Sequence, residues 1–67
     1  MKEIKINSIE EIIEALNNYN ILYNENKTIK YWLYKGFILS AEVDNEQKTT
    51  IINDIIEVGK NFYYFEV

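Results

Sequence analysis

With neither histidine nor cysteine among its 67 residues, this chain lacks the common general base and the common soft nucleophile. Any catalysis would rest on carboxylates, lysines, tyrosines or the two serines. Ser8 stands three residues before Glu11 at the head of an apolar-periodic run, which is the spacing of a helix capping box. Ser40 lies inside an alternating apolar segment and reads as a strand residue. Glu42, Asp44 and Glu46 offer oxygen ligands, yet they lack the glycine and the terminal glutamate of a calcium loop. Without Cys or His a structural zinc site is excluded. Neither Gly36 nor Gly59 belongs to a phosphate-cradling loop. The expectation is therefore a protein that is not an enzyme and holds no metal or cofactor.

What remains is binding chemistry, and the densest source of it is Tyr31-Trp32-Leu33-Tyr34-Lys35-Gly36-Phe37-Ile38-Leu39. Two apolar runs around a Lys-Gly pair, the glycine free to take positive φ, predict a β-hairpin. Pairing across that turn sets Tyr34 opposite Phe37, Leu33 opposite Ile38, Trp32 opposite Leu39 and Tyr31 opposite Ser40, and opposed residues share a face. Trp32, Tyr34, Phe37, Leu39, Ala41 and Val43 form the face expected to enter the core. Ile29, Tyr31, Leu33, Ile38, Ser40 and Glu42 form the other, which is too apolar for an ordinary solvated face.

The elements that must position this hairpin follow from periodicity. Lys2 to Ile6 alternates as a half-buried strand, and Ile9, Ile12, Ile13 and Leu16 recur on one stripe of a helix capped at Asn7 or Ser8. Glu10, Glu11 and Glu14 lie off that stripe, near the helix N-terminus where the macrodipole favours acids. Asn17, Asn18 and Asn20 end the helix, since Asn tolerates the left-handed conformation. Ile21-Leu22-Tyr23 reads as a packed connection, with a short strand as the alternative. Asp44 to Lys48 reads as a polar loop. Ile51, Ile52, Ile55 and Ile56 sit at helical spacing ahead of Gly59, predicting a second helix over 50–58. Phe62 to Val67 closes the chain as a strand with Tyr63, Phe65 and Val67 inward.

The order β-α-β-β-α-β is that of the split βαβ, or ferredoxin-like, arrangement, with two helices on one face of a four-stranded antiparallel sheet. The alternative is one helix with a five-stranded β-meander. In the first arrangement the initial strand and the hairpin's second strand are central, and the face away from the helices presents Lys5, Tyr31, Leu33, Ile38, Ser40, Tyr64 and Glu66. Element order carries no function with it.

Length bounds the rest. Residues 1–67 make one α+β domain, and a chain of this size buries only about 60% of its unfolded surface, so its core must come from packing without disulfides. Twelve Ile, six Tyr, three Phe and one Trp supply it, beside eleven acids and seven lysines for a net charge of −4. No run approaches the ~18 apolar residues of a membrane span, and Met1-Lys2-Glu3-Ile4-Lys5 lacks the apolar centre of a signal peptide. The expected location is cytoplasmic. Abundant Ile, Asn, Lys and Tyr with no Arg, His or Pro are what an AT-rich bacterial or phage genome encodes.

These features predict a small acidic protein-interaction module with aromatic anchors rimmed by carboxylates. Tyr31, Leu33, Ile38 and Tyr64 are its expected anchors. Glu10, Glu11, Glu14, Asp44 and Glu46 are its expected field, suiting an inhibitor or adaptor on a basic surface of a larger, nucleic-acid-handling protein. Two other readings stand beside it. One is stacking of single-stranded nucleic acid on Tyr31 and Tyr64, which the absence of Arg and the negative charge oppose. The other is a homodimer with no further partner.

Overall fold

Strand β1, Lys2–Ile6, forms where Ile4 and Ile6 alternate with Glu3 and Lys5. The computed structural model describes all residues 1–67. Helix α1, Ile9–Asn17, follows at once. Ser8 Oγ accepts the Glu11 backbone N–H at 3.2 Å and donates to Glu11 Oε1 at 2.9 Å. The same carboxylate accepts the Asn7 N–H at 3.5 Å, so two otherwise orphaned backbone donors are satisfied. Ile12, Ala15 and Leu16 are the buried residues of α1, while Ile9 and Ile13, expected on the same stripe, flank it in solvent.

The helix ends at Asn17 with Asn18 as its C-cap, as expected, in a Schellman motif whose left-handed residue is not an asparagine. Tyr19 takes the left-handed position at φ 61°, its N–H bonded to the Leu16 carbonyl and that of Asn20 to the Ala15 carbonyl. Asn20 then adds a second bond, from Nδ2 to the same Ala15 carbonyl. No helix of the chain is long and apolar enough to cross a membrane.

From there the chain is strand. β2 is Leu22–Tyr23, β3 Ile29–Tyr34, β4 Phe37–Glu42, β5 Asn45–Ile52 and β6 Phe62–Glu66. They form one sheet in the order β1-β6-β2-β3-β4-β5, with antiparallel neighbours throughout. β1 and β2, joined through α1, run parallel with β6 between them. The Lys35-Gly36 hairpin has the expected register, and φ of 50° and 82° at the two turn residues are those of a type I′ turn.

The expected architecture of two helices on a four-stranded sheet is overturned. The alternative of one helix with strands fits, except that the strands number six and not five. Segment 50–58 is no helix: its first residues extend β5 and only Ile55–Glu57 turn, as a single 3-10 turn capped by Asp54 Oδ1 on the Ile56 N–H. The β-branched run Thr49-Thr50-Ile51-Ile52 pairs with β4, and a helix started at Asp54 would have only five residues before Gly59, too few to repay nucleation. The supposed loop 44–48 likewise belongs mostly to β5. Ile21-Leu22-Tyr23, expected as a connection, contributes β2 at the sheet centre, where Leu22 is fully buried. β1, expected to be central, is an edge strand.

One face of this sheet carries the core. Ile6, Leu22, Tyr31 and Phe62 pack against Ile12, Ala15 and Leu16 of α1 and against Ile55, with Ile4, Ile29, Leu33, Ile38, Ile52 and Tyr64 around them. The Tyr31 and Phe62 rings meet edge to face at 5.5 Å. Burial pushes the Tyr31 phenol pKa up. The expected face assignment is thus inverted for the hairpin and for β6, although Ala41, on the hairpin face expected to be core, is itself buried. Tyr31, Leu33, Ile38 and Tyr64 lie on the core side, and Trp32, Tyr34, Phe37 and Leu39, expected in the core, stand on the side away from it.

Candidate functional site

Directly opposed residues of an antiparallel pair stand on the same side, so the register defines the open face row by row. One row runs Lys5, Tyr63, Tyr23, Lys30, Ala41 across β1, β6, β2, β3 and β4. A second runs Trp32, Leu39, Ile51, and Tyr34 with Phe37 closes the hairpin end. On the other side of the long row Glu3 faces Phe65. Six aromatic rings therefore share one face of a domain whose only helix lies on the other. Tyr34, Phe37 and Ile51 are each more than half exposed, and Tyr23, Trp32, Tyr63 and Phe65 are partly so.

Lysines interleave with these rings. Lys27 Nζ sits 4.3 Å from the centre of the Tyr63 ring and bonds Glu3 Oε1 at 3.0 Å. Lys35 Nζ lies 5.3 Å from the Tyr34 ring, and Lys30 Nζ lies 5.7 Å from Trp32 while bonding the Glu46 carboxylate. Such cation–π contacts hold at roughly 0.5–1 kcal/mol each on an exposed surface. Lys27 and Lys35 both adopt positive φ, 57° and 50°. Asn24 supports the first by accepting the Thr28 and Ile29 N–H groups on Oδ1 at 2.8 and 3.1 Å. Beyond Tyr23 and Phe65, whose rings meet edge to face at 5.5 Å, the apolar surface continues into Met1, Tyr19 and Ile21.

The residues expected to act together are separated. Tyr31 is buried, at 4% exposure, and Leu33, Ile38 and Tyr64 are packed against the core. Glu10, Glu11 and Glu14 line α1 on the opposite side of the sheet, with Glu11 engaged in the helix cap. Asp44 is in the β4–β5 turn. Glu46 alone of the nine is held on the open face, through Lys30. No three carboxylates converge into a group that could hold a metal ion. An aromatic patch rimmed by acids is not what the fold builds; the rings are rimmed by lysines.

Ranking the hairpin faces on apolar content puts Trp32, Tyr34 and Phe37 on the wrong side, and the expected inward side of β6 does the same for Tyr63 and Phe65. A signal for β3 was present. Ile29, Tyr31 and Leu33 have no charge among them, whereas Lys30 alternates with Trp32 and Tyr34. A charge inside the strand marks the wet side more surely than ring count marks the dry one. For β6 the alternation misleads, because Glu66 shares parity with the inward Phe62 and Tyr64. Only its pairing with β1, where Ile4 opposes Tyr64 and Ile6 opposes Phe62, resolves it.

Comparison with known proteins returns a segment, not a family. Over 47 residues, 70% of this chain, the sequence is 40% identical to ATP synthase subunit delta of Fusobacterium nucleatum. That stretch is 24% of the relative, so the chain spans about a quarter of the length of the curated relative it matches. No family model matches the chain. No solved structure matches it either.

Proposed function

We propose that this chain is a small interaction module that docks on a larger protein through the open face of its sheet. The observation that carries this reading is the uncovered face itself. Rings on four adjacent strands, with Leu39 and Ile51 beside them, make a contiguous apolar patch of the kind that marks binding surfaces. Its composition, aromatic at the centre with lysines around it, two of them ion-paired, is that of an interface core and rim. The similarity to a protein named as a subunit of ATP synthase supports a docking role for the shared segment.

A face-to-face dimer is disfavoured by charge, because it would bring the lysine-rimmed faces of two copies together. The acidic side of α1 remains free, and the inhibitor or adaptor role would engage it only as a second contact.

Tyr34→Ala with Phe37→Ala tests the proposal. Both side chains are more than half exposed, at 52% and 57%, so the fold should survive their loss. Affinity for proteins captured from the source cells should fall by roughly thirtyfold or more, the scale of an interface hot spot. Unchanged capture by the folded double variant would remove the open face as the docking surface.

A further inference from the structure

We infer that the partner presents an acidic segment to this face, with Lys27 and Lys35 as the residues that select it. The inference rests on the docking role proposed above and names the chemistry of the occupant. Net charge hides the asymmetry that carries it. The open face gathers Lys5, Lys27, Lys30 and Lys35, with Glu3 and Glu46 paired to two of them. The whole chain has a charge of −4, so the excess of acid lies elsewhere, with Glu10, Glu11 and Glu14 behind the sheet on α1. The short side of the molecule spans 20 Å, about two and a half times the screening length at physiological salt, so the face presents its own positive field.

Lys27 and Lys35 stand out within that set. Each occupies a left-handed backbone position that glycine or asparagine would adopt with less strain. Each also holds its ammonium over an exposed or half-exposed tyrosine ring. Lysine at both positions is the poorer choice for the turn and the better one for meeting a carboxylate beside an aromatic surface. A position that breaks a local rule in this way is where binding is expected.

A nucleic-acid strand fits less well. Glu3 and Glu46 would stand among its continuous phosphates, whereas a segment with spaced carboxylates can keep clear of them and share Lys27 with Glu3. The chain also has no arginine to fork onto a phosphate. An acidic protein segment has fewer charges to neutralise, and its apolar residues can meet the rings.

The single tryptophan, Trp32, lies in the face and reports its occupancy. The full chain is titrated, by Trp32 fluorescence and backbone amide spectra, with a short peptide alternating Glu and Leu, its Lys-for-Glu counterpart, and a short oligothymidylate. The acidic peptide should move the open-face signals, and added salt should weaken it. In the folded Lys27→Gly and Lys35→Asn double variant its affinity should fall roughly fivefold, the loss of two exposed charge contacts. No shift with the acidic peptide, equal binding of its lysine counterpart, tighter binding of the oligothymidylate, or an unaffected double variant would each overturn the inference. Capture lost in the Tyr34→Ala and Phe37→Ala variant but kept in the lysine variant would leave the docking face standing while this assignment falls.

Discussion

Tyr19 concentrates a conflict between local preference and position. An aromatic residue at the left-handed C′ position of α1 carries a steric penalty of about 1–2 kcal/mol that glycine avoids, and at 75% exposure its ring recovers little by burial. Tyr19→Gly should raise the melting temperature by about 4–8 °C in a thermal scan, the scale of a 1 kcal/mol gain in a domain of this size. Tyr31 makes the opposite statement, since its ring is buried and its phenol is held above the ordinary tyrosine pKa by desolvation. With the folded pKa raised, the stabilisation is complete below the unfolded value near 10 and is lost as pH rises through the folded value. Tyr31→Phe should therefore flatten the loss of stability above about pH 10, measured as urea midpoint against pH. An unchanged alkaline slope would show that burial of this phenol is not what the fold loses there.

Elements, in this chain, are decided by pairing as much as by pattern. The hairpin at Lys35-Gly36 has its register because a two-residue type I′ turn allows no other, but its first position prefers asparagine. Lys35→Asn should keep the fold and raise the melting temperature by about 2–4 °C, since relief at the turn exceeds loss of one exposed cation–π contact. A fall in stability would show that the Lys35 ammonium matters more to the hairpin than to any partner. β5 teaches a different lesson. Ile51, Ile52, Ile55 and Ile56 satisfy helical spacing, yet Ile51 and Ile52 stand on opposite faces of a strand, and Ile55 reaches the core only after the chain turns at Asp54. Periodicity counted four apolar residues; an available β4 edge decided what they became.

At the scale of the whole molecule, one face of the sheet holds the core and the other holds the surface of interest. Phe62, at 1% exposure, joins α1, β1, β2 and β3 around the Tyr31 ring. A domain of 67 residues has roughly 3–10 kcal/mol of stability in total, and Phe→Ala in a core costs about 3–5 kcal/mol. Phe62→Ala should thus leave a large unfolded fraction at ambient temperature by far-ultraviolet circular dichroism. The paired change on the open face, Tyr34→Ala with Phe37→Ala, should leave that spectrum nearly native. If both variants melt alike, the two faces are not divided between folding and binding as their burial indicates.

By itself the chain's residue order determined the strand β1, the Ser8-capped helix, the hairpin with its register, and the surplus of apolar strand surface beyond what its helix can cover. These are local matters: period, caps and turn geometry act within a few residues. Which side of the hairpin and of β6 faces inward was left to the tertiary structure, because both sides of those strands are apolar and alternation then carries little contrast. That decision came from neighbours distant in the chain, Ile4 and Ile6 opposite β6 and Leu22 opposite Tyr31, which bind one parity to α1 and leave the other exposed. The same long-range pairing separated the acids of α1 from the rings and gathered lysines among them, so the character of the candidate surface was set by sheet order rather than by composition.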